Sequence, residues 1–281
     1  MTLHTRITAE TPALRLADRY GAAVDIAPPA WNETLDVLLS HRSVRRFRPE
    51  AIPPGTVETL VAAAQSAPSS SNLQPWSVVA VEDPERKARL SVLAADQAFI
   101  RDAPLLLVWL IDHQKLRTAA FAQGRQALAL DYVESFLLGG VDTALAAQNA
   151  TVAAESLGLG ATYVGAIRNK PVEVAAELGL APHVFALFGM AVGRPDPDAG
   201  LEVKPRLPQE AVLFHERYGW GAREQDAVAA YNPRIRAFQR RQRLPEQDWS
   251  TQAVNRTAGP QSMAGRHVLR DLLQVLGFPL R

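Results

Sequence analysis

The sequence predicts a mixed α and β fold, with short apolar strands alternating with helices, on three observations. Four short apolar runs, at 77–81, 104–111, 162–167 and 184–192, read as strands bounded by turn-forming residues. The stretches between them open on helix-starting Asn or Pro and close near Gly or Pro. The 281 residues are 47% hydrophobic, enough for a substantial core in one large domain or two small ones.

Taken in order, residues 1–30 mix polar and apolar groups without a clear period and close on Pro28-Pro29, so they read as an N-terminal extension ahead of a main body at 31–281. Asn32 can cap a helix through Leu35, Val37, Leu38 and Leu39, ending near His41. Pro53-Pro54 open a second helix, roughly Gly55 to Ala67. After Pro68 a polar loop leads into the strand Ser77–Val81, and a helix is expected from Pro84 to Ala95 before the strand Pro104–Ile111. From Gly124 to Leu157 there is no proline. Val141, Ala144, Leu145, Ala147, Val152 and Ala153 cover nearly every face there, which predicts a helix buried in the core or at a subunit interface. Thr162–Ile167 and Val184–Val192 are the remaining strands, separated by a helix that Pro171 starts and Gly179 ends. A Pro-rich extended segment follows Gly193. The stretch Ala264–Leu276 carries Val268, Leu269, Leu272, Leu273 and Leu276 at helical spacing and should dock on a partner surface.

Composition excludes several functions. Thirty basic and twenty-nine acidic residues leave a formal charge of +1, which gives no support to a nucleic-acid-binding protein, and Arg234 to Arg243, with five arginines, lacks interleaved aromatics. No cysteine occurs, which closes disulfide, thiolate-metal and cysteine-nucleophile chemistry. The first thirty residues do not read as a signal peptide, and no apolar stretch approaches the ~20 residues of a membrane span, so a soluble cytoplasmic protein is expected. Gly158-Leu159-Gly160 follows a helix and precedes a strand, the reverse of the dinucleotide order, and reads as a helix stop. The six histidines show no ligand spacing, so no metal site is expected.

The phrases with chemistry are basic or hydroxyl-rich. HRSVRRFR at 41–48 packs guanidinium groups and a hydroxyl together, which suits a phosphate monoester carrying about 1.5 to 2 negative charges, although a solvated basic face is an equally plain reading. SSSNLQPW at 69–76 supplies hydroxyl and amide groups, or is an ordinary turn. Lys204-Pro205-Arg206 can point two cations at one anion from a stiff backbone, or is an exposed linker. Tyr163 to Asn169 leaves a strand with one glycine, where main chain can approach a flat ligand, or is a plain strand end.

The order of these phrases resembles the nitroreductase superfamily of FMN enzymes, specifically its bacterial NADPH-dependent nitroreductase and flavin-reductase group. The matching pieces are HRSVRRF at 41–47, SSSNLQPW at 69–76, the long stretch at 139–169, FALFGMAVGRP at 185–195 and KPRLP at 204–208, and the resemblance extends over about residues 33–281. It implies an α+β fold with a central, mostly antiparallel sheet flanked by helices, assembled as an intertwined homodimer with the 124–157 helix in the interface. By the same resemblance, His41, Ser43, Lys204 and Arg206 match groups that bind the FMN phosphate, with Arg42 beside them. Arg45 matches a cation at the N1 and C2 carbonyl edge of the flavin ring, where it stabilises the negative charge of reduced flavin. Ser69, Ser70, Ser71 and Gln97 match groups lining the ring, and Tyr163, Gly165 and Ala166 match main chain that approaches it. Arg240 and Arg266 fall where the family recruits arginines toward the 2′-phosphate of NADPH, while Gly165-Ala166 replaces a frequent Gly-Gly pair and Leu244-Pro245-Glu246-Gln247 replaces a more basic turn. The implied activity is ping-pong hydride transfer from NADPH through FMN N5 to a nitroaromatic, quinone or free flavin, with no protein nucleophile. A dehalogenase or biosynthetic flavoenzyme of the same fold, or a flavin sensor or store without turnover, shares these features.

Overall fold

The structure, a computed structural model, describes residues 12–281. Along the chain run α1 (Pro12–Tyr20), α2 (Glu33–Leu39), α3 (Thr56–Gln65), β1 (Trp76–Val81), α4 (Pro84–Leu93), α5 (Ala98–Asp102), β2 (Leu105–Asp112) and α6 (Gln114–Ala122). There follow α7 (Val133–Ser156), β3 (Gly160–Val164), α8 (Pro171–Leu178), β4 (Val184–Gly193), α9 (Ala222–Arg241), α10 (Trp249–Thr257) and α11 (Leu269–Val275). Among the described residues two compact units emerge, one made of residues 12–42 with Gly200–Ser262, the other of Ser43–Ala199 with Met263–Arg281.

The larger unit is built on a sheet ordered β1-β2-β4-β3, every pair antiparallel, as the predicted α+β class requires. β2 is buried along nearly its whole length because its alternate residues serve two cores. Leu105, Leu107 and Trp109 face one core with Leu60 and the alanines Ala146, Ala147 and Ala150 of α7. Leu106, Val108 and Leu110 face the other with Leu90, Ile100 and Val174. Small residues on α7 let it approach the sheet closely, so one face of that helix is buried. Its other face leaves Leu137, Val141 and Leu145 60%, 50% and 39% exposed. The predicted burial of this helix is thus half satisfied within one chain.

Local signals act as read. Asn32 Oδ1 accepts the Leu35 N–H at 3.0 Å to start α2, and Gly179 at φ 63° ends α8. At the start of α4 the structure adds a cap to the expected Pro84, Asp83 Oδ2 accepting from the Arg86 N–H at 2.8 Å. Gly158 at φ +74° follows the last turn of α7, the helix stop expected there. The third strand ends at Val164, earlier than predicted, because Gly165–Asn169 coils into a tight turn. The stripe at the C-terminal helix docks on this chain's own core, where Leu273 packs with Ile111, Phe185 and Phe278.

The smaller unit contains a helix that hydrophobic period did not reveal. α1 occupies part of the predicted extension, and its buried residues are Leu16 and Arg19, the latter 8% exposed. Residues 1–11 of that extension lie outside the described residues. Among the described residues no helix is long and apolar enough to cross a membrane.

Candidate functional site

In the smaller unit, the predicted phosphate-binding phrases are brought together by α1. Arg19 donates from Nη2 to the Leu39 and His41 carbonyl oxygens at 2.8 and 3.0 Å, and from Nη1 to the Lys204 carbonyl at 3.3 Å. The Arg206 N–H returns a bond to the Arg19 carbonyl at 2.9 Å. Lys204 and Arg206 are exposed while Pro205 between them is buried, the alternation of an extended backbone, so both cations project from one side. The Pro205 carbonyl accepts from the buried Tyr231 hydroxyl at 2.7 Å, and Lys204 Nζ lies 5.8 Å from the centre of the Phe238 ring. Arg206 Nη1 folds back to its own segment's Lys204 carbonyl at 3.1 Å. Arg42 lies near by in sequence and donates to the Leu201 carbonyl at 3.3 Å.

Arg240 is engaged with a carboxylate in a two-point pair, Nε and Nη2 donating to Glu246 at 2.9 and 2.8 Å. This pairing raises Arg240 above the ordinary arginine range and holds Glu246 below the usual carboxylate range. The arginine-rich stretch is a paired surface, since Arg236 meets Asp248 and Arg241 meets Glu202.

In the larger unit, residues 43–48 lie along the end of the sheet. Ser43 bridges to Ala161 and Phe47 to Pro195. The buried Val44 donates its N–H to the Ala161 carbonyl at 3.0 Å. A methyl group on Gly160 would sit 2.3 Å from Val44 Cγ2, so glycine is what admits this approach. With Val44 turned inward, Ser43 and Arg45 are exposed, and the Arg45 guanidinium stands 5.9 Å from the Phe99 ring centre.

The serine loop has a buried anchor that composition did not point to. Asp142 of α7, 3% exposed, accepts from the Ser69 hydroxyl at 2.6 Å and faces the Ser70 N–H at 3.4 Å. Ser69 Oγ in turn accepts the Gln74 N–H at 2.8 Å. Ser71, Asn72 and Gln74 all have φ near +50°, a left-handed run of non-glycine residues that needs such an anchor. The signal available in sequence was an acidic residue inside an otherwise apolar helix. Gln97 sits at the start of α5, its carbonyl accepting from the Ser91 hydroxyl at 2.9 Å.

Tyr163 stands on β3 with its hydroxyl 2.9 Å from Thr151 Oγ1 and its ring edge-on to Phe188 at 5.2 Å, and burial pushes its phenol above the ordinary value. Gly165 and Ala166 open the turn that follows. Two guanidinium groups converge on Gly165, because a methyl there would lie 3.4 Å from Arg168 Nη2 and 3.7 Å from Arg266 Nη1. Arg266 faces the Gly165 carbonyl at 3.5 Å, and Arg168 donates to the Leu187 carbonyl. Burial first, and the neighbouring Arg266 charge second, pull Arg168 below the usual arginine range. Arg168 was not singled out in the sequence because its partner lies about a hundred residues away.

Each unit thus carries donors that suit an anion: two cations on an extended segment in the smaller, and two guanidinium groups beside the Gly165 main chain in the larger. Residues 38–194 match the nitroreductase family, and residues 204–281 match the C-terminal domain of that family. The FMN reductase (NADPH) of Bacillus subtilis is 36% identical over 228 residues, 80% of this chain and 91% of that protein. The NADPH-flavin oxidoreductase of Vibrio harveyi is 36% identical over 230 residues, 81% and 92% of the two chains. Among solved structures, the NfrA1 nitroreductase of B. subtilis superposes with a TM-score of 0.81 at 34% identity, covering 88% of this chain and 99% of that one. With both the sheet and the C-terminal phrases matched in order, the chain belongs to the nitroreductase family.

Proposed function

We propose that this protein is an FMN-dependent oxidoreductase that uses NADPH to reduce nitroaromatics, quinones or free flavins. The observation that carries the reading is the pair of cations, Lys204 and Arg206, presented from one side of an extended segment that Arg19 ties to His41. Relatives named as NADPH-dependent flavin reductases support it, as does a CR(VI) reductase of Pseudomonas sp. that is 37% identical over 203 residues, 72% of this chain and 82% of that protein.

FMN, when bound, would supply two-electron hydride chemistry at N5 between NADPH and an acceptor, in ping-pong order. The chain's own residues bind, orient and tune. Lys204, Arg206 and His41 hold the phosphate, with Ser43 and Arg42 assigned from their place in the 41–48 phrase. Arg45 holds a fixed positive charge at the N1 edge of the ring. Ser69, Ser70, Ser71 and Gln97 line the ring, with Asp142 fixing the serine loop, and main chain at Tyr163, Gly165 and Ala166 lies against it. Arg266, with Arg168 at its side, and Arg240 take the 2′-phosphate of NADPH. No protein nucleophile and no metal enter the chemistry.

The working assembly is a homodimer, favoured by the exposed stripe Leu137, Val141 and Leu145 on α7, a spacing of four residues that forms one apolar ridge. Residues 31–281 form the flavin-binding body and 1–30 an added segment, in line with the extent of the family match. A cytoplasmic location suits a consumer of NADPH. The test is anaerobic mixing of the FMN-loaded protein with NADPH. Bleaching of the yellow flavin absorbance followed by recovery on adding menadione is expected, and flavin that stays oxidised sinks the proposal.

A further inference from the structure

We infer that α1 is a positioning device for the phosphate end of the flavin site, with Arg19 its working residue; this rests on the FMN reading above. α1 belongs to the N-terminal segment outside the matched regions, which begin at residue 38. Arg19 is 8% exposed, and burying a guanidinium is costly unless its N–H groups find acceptors. The acceptors it finds are main-chain carbonyls of Leu39 and His41 on one segment and of Lys204 on another, at 2.8, 3.0 and 3.3 Å. Two of those carbonyls belong to residues whose side chains are assigned to the phosphate. The Arg206 N–H, on the third, donates to the Arg19 carbonyl at 2.9 Å. One residue thereby fixes the main-chain register of His41, Lys204 and Arg206.

The bracket is itself held at both ends. Arg15 pairs with Asp36 of α2 through two bonds, Nε to Oδ1 at 2.7 Å and Nη2 to Oδ2 at 3.0 Å. At the other end the Tyr20 carbonyl accepts from Arg234 Nη1 at 3.3 Å. Gly21, at φ +65°, lies so close to Pro205 that a methyl would stand 3.0 Å from its Cγ. A planar fork of donors can bridge carbonyls on two segments at once, whereas a lysine ammonium is a compact point on a flexible stem. Arg19 is therefore a positioning residue: it sets where the cations stand, and touches no substrate.

The experiment titrates the full-length chain, stripped of flavin, with FMN and with riboflavin, which lacks the phosphate, and follows quenching of flavin fluorescence. Arg19→Gln is expected to weaken FMN binding about tenfold and riboflavin binding less than about twofold, since loosened phosphate contacts are charge-assisted bonds. Arg19→Lys should behave as Arg19→Gln does. Gly21→Ala, which displaces Pro205 without touching the fork, should show the same selectivity for FMN and serves where Arg19→Gln fails to fold. Equal weakening of both flavins, no weakening of either, or full recovery by lysine overturns the inference while leaving the FMN reading intact. A wild-type chain that takes up neither flavin brings down that reading and this inference together.

Discussion

Arg45 and Glu246 show what single side chains decide. Arg45 is exposed beside the sheet end, held by Val44 turning inward and by the ring of Phe99. Arg45→Ala is expected to keep most of the FMN affinity, since the phosphate contacts are proposed at other residues, but to lower the flavin reduction potential and slow reduction by NADPH. An unchanged potential, measured by dye equilibration, removes Arg45 from the N1 edge. Glu246 occupies the Nε–Nη2 edge of Arg240, so a nucleotide phosphate that approaches this edge competes with a carboxylate. The pair is exposed and worth little by itself, so Glu246→Gln should improve NADPH over NADH by a few-fold at most, roughly the effect of one surface ion pair. An unaltered ratio of kcat/KM for the two nucleotides would show that Arg240 is no part of that site. The residue types were legible at this scale, because clustered cations, hydroxyls and a lone glycine carry their chemistry in their names. Arg168, Asp142 and Arg19 were not, since each acquires its role from a partner that lies far away in sequence.

At the scale of elements, the C-terminal tail is a lock with a titratable part. After α11 the buried Phe278 sits against His113, ring centres 5.3 Å apart, and against His183 at 6.3 Å. His113 is fully buried, its Nε2 donating to the Ser135 carbonyl at 3.1 Å while Nδ1 has no hydrogen-bond partner. Burial is the main force lowering both histidines, with the Arg117 charge adding to it and the carbonyl partners opposing it. A histidine depressed in the folded state is neutral there while the unfolded chain, near its ordinary value of about 6.5, still takes up a proton. The stability contributed is present above that value and lost as pH falls below it. Tm should therefore drop between pH 7 and pH 5, and the slope should flatten in His113→Phe. A wild-type Tm that is flat over this range contradicts the account. Element boundaries followed from Asn32, Pro84, Gly158 and Gly179, whose helix-starting and helix-ending chemistry is local. α1 escaped although Arg15, Asp18 and Arg19 recur at helical spacing, because nine residues are too short a run to stand out from the mixed stretch around them, and β3 ended early because a turn at Gly165 interrupts a run that still reads as strand.

For the whole molecule, the unburied ridge of α7 is the feature that one chain leaves unfinished. Exposed Leu137, Val141 and Leu145 lie on a helix whose opposite face forms the core, so a charge placed there should spare the fold and break association. Val141→Glu is expected to convert the protein from dimer to monomer in light scattering while Tm by circular dichroism stays within a few degrees. A variant that remains dimeric places the interface elsewhere. If the flavin sites lie at that interface, FMN retention on desalting should fall with the dimer.

By itself, the sequence determined the family, the order of the four strands along the chain, and the short phrases from which an anionic cofactor's partners are proposed. All of these reside in local pattern: alternation, capping residues, and short phrases whose donors stand within one or two turns. Only the tertiary structure decided that β4 inserts between β2 and β3, that Asp142 anchors the serine loop, and that Arg19 ties His41 to Lys204. The physical reason is the same in each case. A hydrogen bond or a strand pairing closes a long loop of chain, and its partner is set by the packing of the whole core, which no window of neighbouring residues contains.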